Sequence, residues 1–381
     1  MSGQWWPPQQ RSPSVTGTVD VDTRPAVDVV CLGESMVTFL PSHPGRLADV
    51  PTFARTIGGA ESNVACALAA AGHSVKWVSR VGADGFGDHL VDAIAGYGVD
   101  TSDVRRDQDR PTGIYFRTAN DRGDEAHEVV YYRAGSAASA MSPANVPYED
   151  VGAGRILHLS GITAALSGDC LALMRELTAR REGRRPLVSF DINFRPALWR
   201  DASGARVLLD LARGADLVFV GEDEAAEAWG LHGAEAIREA LPEPATLVVK
   251  RGSEGATVYT REAVGAGEAT GTGEAAGTRE SGDDVVVTVP ALRVDVVAPV
   301  GAGDAFAAGF LSAALRGLSA EARIRHGHLM AAAVLTVPAD LGTPPSRAHA
   351  DRLAGLDAAA WGTLRLGPGW TAAGEPEVRT S

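Results

Sequence analysis

Cysteine is scarce in this chain. Cys31, Cys66 and Cys170 are the only three in 381 residues, and they stand far apart with no CxxC pair. An odd, dispersed set argues against a disulfide framework. It is read as buried free thiols in a reducing compartment, with one reactive thiol as the alternative. No apolar run approaches the roughly 20 residues a membrane helix needs. The first residues, Met1-Ser2-Gly3-Gln4-Trp5-Trp6-Pro7-Pro8, show no basic-then-apolar signal pattern. Basic charge is also in deficit: 35 Lys and Arg against 48 Asp and Glu leave a net charge of −13. That balance argues against nucleic acid or an anionic membrane as a partner, because both need clustered positive charge. The run GxxxxGK followed by Ser or Thr does not occur, so P-loop nucleotide chemistry is set aside. The expectation is a cytoplasmic protein with no nucleic-acid or membrane partner.

What the chain does have is length and an ordinary globular composition, 45% hydrophobic and 22% charged, enough for one large domain with a small appendage. Residues 1–25 are rich in Pro, Ser, Thr and Gln and read as a disordered tail, with Trp5-Trp6 as a possible docking spot. The body spans residues 26–366, and 367–381 reads as a C-terminal tail. Within the body, residues 263–284 form an acidic, Gly-rich stretch between two weak strand signals, Ala256 to Tyr259 and Val285 to Val289, and read as a long exposed hairpin loop.

Short apolar runs suit buried strands at Val27–Leu32, Val75–Val81, Arg155–Leu159, Leu187–Asp191, Leu217–Val220 and Thr246–Val249. Helical patterns follow several of them, at Ser62–Ala71, Phe86–Tyr97, Asp169–Arg181 and Ala234–Leu241. This alternation predicts an α/β fold, a mainly parallel central sheet covered on both faces as a three-layer α/β/α sandwich. Met36–Leu40 and Ile114–Tyr132 alternate more like a half-exposed antiparallel sheet, so a small β-sheet lid is expected from about residues 34–60 and 110–135.

The chemistry concentrates after the apolar run Leu292–Val297, in Ala298-Pro299-Val300-Gly301-Ala302-Gly303-Asp304. A nearly all-apolar helix follows, ending near Arg316 with Gly317 as its stop. Two glycines before a buried helix let backbone N–H groups converge, and the helix dipole adds about half a positive charge there. Such an anion hole suits a transferring phosphoryl group. Asp304, at the helix start, can be read as an N-cap or as a base that takes the proton of an attacking hydroxyl.

Four segments together resemble the ribokinase-like (PfkB) carbohydrate kinases. Gly58-Gly59-Ala60-Glu61-Ser62-Asn63-Val64-Ala65, with Gly72 and Gly82, is similar to their N-terminal signature, and Gly301 to Asp304 to their C-terminal one. Lys250-Arg251-Gly252-Ser253-Glu254-Gly255 resembles the strand-to-loop segment near the nucleotide phosphates, and Glu222-Asp223-Glu224 falls at the family's N-x-x-E motif. The resemblance implies a ribokinase-like fold, ATP and Mg2+, and Asp304 as catalytic base, with Gly301, Ala302 and Gly303 around the developing charge. It places Asn193, Arg195, Lys250, Gly252, Gly255, Gly301 and Gly303 against ATP, with Glu224 as an indirect magnesium partner. Two positions depart from the pattern: Gly221 replaces the Asn of N-x-x-E, and Ala298 replaces the usual Asp before the glycine turn.

Tyr131-Tyr132-Arg133-Ala134-Gly135-Ser136 and Asp191-Ile192-Asn193-Phe194-Arg195-Pro196 resemble segments of the 2-keto-3-deoxygluconate kinases. The implied substrate-binding residues are Gly59, Tyr115, Tyr131, Arg133, Arg195 and Asp304. Arginine suits an acid sugar, because its planar fork pairs a carboxylate two-pronged. The implied partners are a small sugar acid and ATP, and the family resemblance implies a homo-oligomer. Another kinase of the family, acting on fructose, ribose or 5-dehydro-2-deoxygluconate, is the near alternative. A non-catalytic sugar-responsive binding protein is the remote one. His326 and His328 form an H-x-H without further ligands and read as helix surface or core, and Glu34 reads as a turn residue.

Overall fold

The computed structural model describes residues 27–43, 45–118, 129–180, 185–199, 203–261 and 284–372. The N-terminal tail with Trp5-Trp6, the acidic stretch up to residue 283, Arg181 and residues 373–381 lie outside these. The strands are β1 (Val27–Leu32), β2 (Met36–Pro41), β3 (Phe53–Gly58), β4 (Val75–Val78), β5 (Arg80–Gly82), β6 (Arg105–Asp107), β7 (Ile114–Arg117), β8 (Val129–Tyr132), β9 (Gly154–Ser160), β10 (Leu187–Asp191), β11 (Leu217–Gly221), β12 (Thr246–Lys250), β13 (Ala256–Arg261), β14 (Asp284–Val289), β15 (Arg293–Val294) and β16 (Arg365–Leu366). The helices are α1 (Ala60–Ala70), α2 (Gly85–Gly96), α3 (Tyr148–Gly152), α4 (Gly161–Ala165), α5 (Gly168–Thr178), α6 (Ser203–Gly214), α7 (Glu222–Trp229), α8 (Ala234–Ala240), α9 (Ala302–Leu315), α10 (Ala320–Leu335), α11 (Arg347–Ala354) and α12 (Ala358–Thr363).

Eight strands form the central sheet in the order β14-β13-β12-β11-β10-β9-β1-β4. The six from β12 to β4 run parallel, and β13 and β14 return antiparallel at one edge. Successive side chains point to opposite faces, and both faces are apolar. Val29, Cys31, Phe219 and Val248 pack into a core with α1, α2, α9, α10 and α11. Their neighbours Val30, Leu32, Val218, Val220 and Val249 pack into a second core with α5, α6 and α8. Continuous Val/Leu/Phe runs are what a sheet buried on both sides requires. The expected three-layer arrangement is therefore present.

A separate four-stranded sheet, β3-β2-β7-β8, lies beside it. It is mixed rather than antiparallel throughout, because β2 and β7 pair in parallel. One of its faces is aromatic: Phe39 stacks on Phe116 at 4.7 Å, and Phe53 meets Phe116 edge-on at 5.3 Å.

One expected strand needs correction. The run Val75–Val81 is not one strand, since the chain leaves the main sheet after Val78 and β5 pairs with β6 instead. The apolar run Leu292–Val297 supplies only the two-residue β15, and Val296 and Val297 stay exposed. In α1 the helix begins earlier than Ser62. Glu61, Ser62 and Asn63 are all buried polar residues of its first turn, so apolar periodicity does not mark them.

Candidate active site

The carboxyl ends of parallel strands are where open α/β sheets bind ligands, and here two of those ends carry a charged side chain. Asp191 ends β10, Lys250 ends β12, and Gly221 leads from β11 into Glu224. The N-termini of α1 and α9 meet at the same place, where Asn63 Nδ2 donates to Asp304 Oδ2 at 2.8 Å. That hydrogen bond joins residues 241 positions apart in the chain.

Asp304 is not the N-cap of α9. Gly301 caps the helix at φ +78°, a left-handed conformation that favours glycine. A Cβ on Gly301 would also collide with the backbone of Asp340. Asp304 is the third helical residue, and its carboxylate turns towards Asn63. The cap reading is thus replaced by a carboxylate held in the site. Burial pushes its pKa up to about 7; Asn63 opposes this, Asp191 adds to it, Lys250 opposes it and Glu61 adds to it. An acid poised there is ionised about half the time near neutral pH, which suits proton transfer.

Lys250 is one of two lysines in the chain, the other being Lys76. Its Nζ donates to both oxygens of Asp191 at 2.9 and 3.1 Å. The same Nζ lies 3.6 Å from where a Cβ of Gly303 would stand, directly beside the glycine turn. Burial depresses the ammonium, but Asp191, Glu224 and Asp304 outweigh it and hold the pKa above its ordinary value. Lys250 is therefore a charged group beneath the N-terminus of α9.

Glu224 Oε2 accepts from the Gly221 N–H at 2.9 Å, closing the first turn of α7. Its Oε1 faces Arg195 Nη1 at 3.4 Å. Burial raises its pKa, against the pull of Lys250. Asn193 is the only described non-glycine residue with positive φ, at +42°, and its Oδ1 is buried without a partner among the described residues. Strain and an orphaned acceptor in one residue mark a site position. Gly252 and Gly255 lie in the tight turn from β12 to β13, with φ of +53° and +127°.

Four of the other predicted residues, Gly59, Tyr115, Tyr131 and Arg133, gather on the lid side. Gly59 caps α1. The Tyr115 hydroxyl donates to Asp340 Oδ2 at 2.7 Å, and its ring lies 5.3 Å from that of Tyr131. Arg133 sits over the Tyr131 ring at 5.7 Å and forms a buried ion pair with Glu34. Tyr131 itself is half exposed. Arg195 is not brought to this group: it stands by Glu224 beyond the end of β10, with 54% of its side chain exposed and a bond from Nη1 to the Phe194 carbonyl.

Several residues of the site carried no sequence assignment. Asn63 and Asp191 stood within quoted motifs. Glu34 and Glu61 are buried carboxylates, Glu61 accepting from Ser160 and Thr163 at 2.8 and 2.7 Å. Asp340 accepts from Tyr115 and, at 2.8 Å, from Arg117, tying lid strand β7 to the loop beneath Gly301. No motif surrounds Asp340, and only the fold brings it here.

The remaining candidates are structural. His326 pairs with Asp351 at 3.2 Å, and His328 packs 5.2 Å from the Phe306 ring in the core. The three cysteines are buried free thiols; burial pushes Cys66 up to about 12. Among the described residues no cluster of three or more His, Cys, Asp or Glu forms a self-sufficient metal site, and no helix is long and apolar enough to cross a membrane. Magnesium, however, keeps several waters and binds chiefly through substrate phosphates with one or two carboxylates. Asp191 and Glu224, both in electrostatic contact with Lys250, are a donor set of that kind.

Comparison with known proteins agrees with this geometry. The family model described as pfkB family carbohydrate kinase matches residues 26–346. A 2-dehydro-3-deoxygluconokinase of Bacillus subtilis is 36% identical over 326 residues, covering 84% of this chain and 93% of its own. A probable chloroplastic fructokinase-6 of Arabidopsis thaliana is 29% identical, covering 82% and 77%. The crystal structure of a PfkB protein from Polaromonas sp. JS666 superposes with a TM-score of 0.70 at 32% identity, covering 86% of this chain and 99% of that one.

Proposed function

Because the chain belongs to the PfkB family of carbohydrate kinases, we propose that it transfers the γ-phosphoryl group of ATP to 2-keto-3-deoxygluconate, giving the 6-phosphate. Dehydro and keto are two names for the same carbonyl, so the B. subtilis relative supports this substrate. The observation that carries the reaction is Asp304, a carboxylate poised at about 7 and held by Asn63 in the first turn of α9.

In this reading Asp304 takes the proton of the primary hydroxyl as that oxygen bonds to the γ-phosphorus. The bond from phosphorus to the β–γ bridging oxygen breaks, and ADP leaves with the electron pair. Backbone N–H groups of Ala302, Gly303 and Asp304 hold the charge on the phosphoryl oxygens. Lys250 adds a compact positive charge beside them, and Asn193, Gly252 and Gly255 border the nucleotide. Glu224 and Asp191 would hold magnesium through water. When bound, that ion would neutralise the ATP phosphates. The lid sheet, tied down through Asp340, excludes water that would otherwise compete for the phosphoryl group. A cytoplasmic homo-oligomer completes the proposal.

A second reading is a kinase for a neutral ketose such as fructose. The Arg133–Glu34 pair favours it, since the charge meant for a substrate carboxylate is already balanced. A coupled ADP-release assay over sugar acids and neutral sugars decides between them. Faster turnover of fructose or ribose than of 2-keto-3-deoxygluconate rejects the acid substrate.

A further inference from the structure

Arg133 follows the last residue of β8, and Glu34 lies in the turn between β1 of the main sheet and β2 of the lid. Their ion pair therefore spans the junction of the two sheets. The Glu34 side chain is 1% exposed and that of Arg133 11%. Ser136 donates its hydroxyl to Glu34 Oε1, while Arg133 Nη2 meets Oε2. Gly113 leaves the room: a Cβ there would stand 3.0 Å from Glu34 Oε1 and 3.5 Å from the Arg133 side chain. Glu34 is thus held in place from two sides.

Arg133 is not saturated by this partner. Its Nε is buried with no acceptor among the described residues. A buried guanidinium donor without an acceptor is costly, and this guanidinium lies over the Tyr131 ring, which packs beside Tyr115. An incoming oxygen is the natural acceptor. Glu34 decides which kind of oxygen is favoured. With Glu34 ionised the pair is neutral, so a sugar hydroxyl or carbonyl can take the open donor without leaving a buried charge. A substrate carboxylate gains less from Arg133, because a second carboxylate already faces the guanidinium.

We propose that Glu34 is the specificity-determining residue of this site, an internal counter-ion on Arg133 that admits neutral sugars and restrains the preference for sugar acids. The inference rests on the sugar-kinase reading of the same site, and it holds whichever sugar is the physiological substrate. Glu34 acts through Arg133 and is a positioning residue rather than a catalytic one.

Glu34→Gln keeps the shape and an acceptor for Ser136 while removing the charge. The KM for 2-keto-3-deoxygluconate is expected to fall about tenfold with kcat changed by less than about threefold, since the chemistry at Asp304 is untouched. The acid-to-neutral ratio of kcat/KM, with fructose as the neutral sugar, should rise by about tenfold. A variant that is merely loosened would lose both substrates together. Calorimetric titration of the same acid without ATP reads the effect independently of turnover. Tighter acid binding by the variant than by the wild type supports the proposal even if the wild type phosphorylates only neutral sugars, an outcome that would reject the acid-substrate reading alone. Should Glu34→Gln fail to fold, Glu34→Asp draws the carboxylate back by one methylene and is expected to show a smaller fall in acid KM. An acid affinity that is unchanged or weaker in whichever variant folds overturns the proposal.

Discussion

The position of Asp304 on the pH scale should be set by Asn63, and removing Asn63 should move it upwards. In the folded protein the carboxyl titrates at about 7 instead of its ordinary 3.8, burial being the main cause. The 2.8 Å hydrogen bond from Asn63 works in the opposite direction, because it favours the ionised form. A base acts only when deprotonated, so kcat/KM of the wild type should fall on the acid side with a midpoint near 7. Asn63→Leu deletes the donor and keeps the volume. A hydrogen bond to a charged group is worth about 1.5–3 kcal/mol, and a pK unit is about 1.4 kcal/mol. The acid limb should therefore rise by about one to two units. Coupled ADP release measured from about pH 5.5 to pH 9.5 reads the shift, with activity largely recovered at the alkaline end. Asp304→Asn, in the same assay, should lose about 10²–10⁴ in kcat and the limb with it. A midpoint that stays in place, or moves down, when Asn63 is removed would refute the assignment of Asp304 as the titrating base.

The same proton has a consequence for folding. The folded state holds it more tightly than the unfolded chain, so this group's stabilising contribution is complete below about pH 4 and is lost as pH rises through about 7. A shift of roughly three units corresponds to about 4 kcal/mol. Asp304→Asn should accordingly melt higher than the wild type at about pH 8 and no higher at about pH 4. A lower Tm at both would contradict the burial argument.

Three further outcomes follow from the geometry. Gly301→Ala forces a side chain into φ +78° and into the Asp340 backbone; it should cost at least about 1–2 kcal/mol in stability and most of kcat, read by urea unfolding and turnover. Lys250→Met leaves Asp191 buried without its cation and should destabilise by about 3–5 kcal/mol. The double variant with Asp191→Leu should regain much of that stability but none of the activity. Arg117→Met removes the buried partner of Asp340; thermal melting should show a loss of about 3–5 kcal/mol, and a drop below about 1 kcal/mol would mean the lid is not anchored there.

Local pattern carried the architecture a long way. Leu217–Val220 matches β11 to within one residue, because a strand buried on two faces writes itself as an unbroken apolar run. The sequence misled at Val75–Val81, where extended chain continues past Ser79 to Val81 but the pairing partner changes. Pairing is a non-local property, and no local run records it. The beginning of α1 was obscured for a related reason. Glu61, Ser62 and Asn63 are polar residues buried through hydrogen bonds to Ser160, Thr163, Ser35 and Asp304, so they break the apolar period that announces a helix.

Chain order alone determined the αβ alternation and the glycine turn before an apolar helix. Those features depend on residues adjacent in sequence, whose periods and turn preferences act over a few positions. Tertiary structure alone decided that Asp304 is held by Asn63 from 241 residues away, and that Lys250 spends its charge on Asp191. It also decided that Arg133 already has Glu34 for a counter-ion. Each of these is a question of what stands opposite a charged group in a low-dielectric site, and only the folded chain chooses the neighbour.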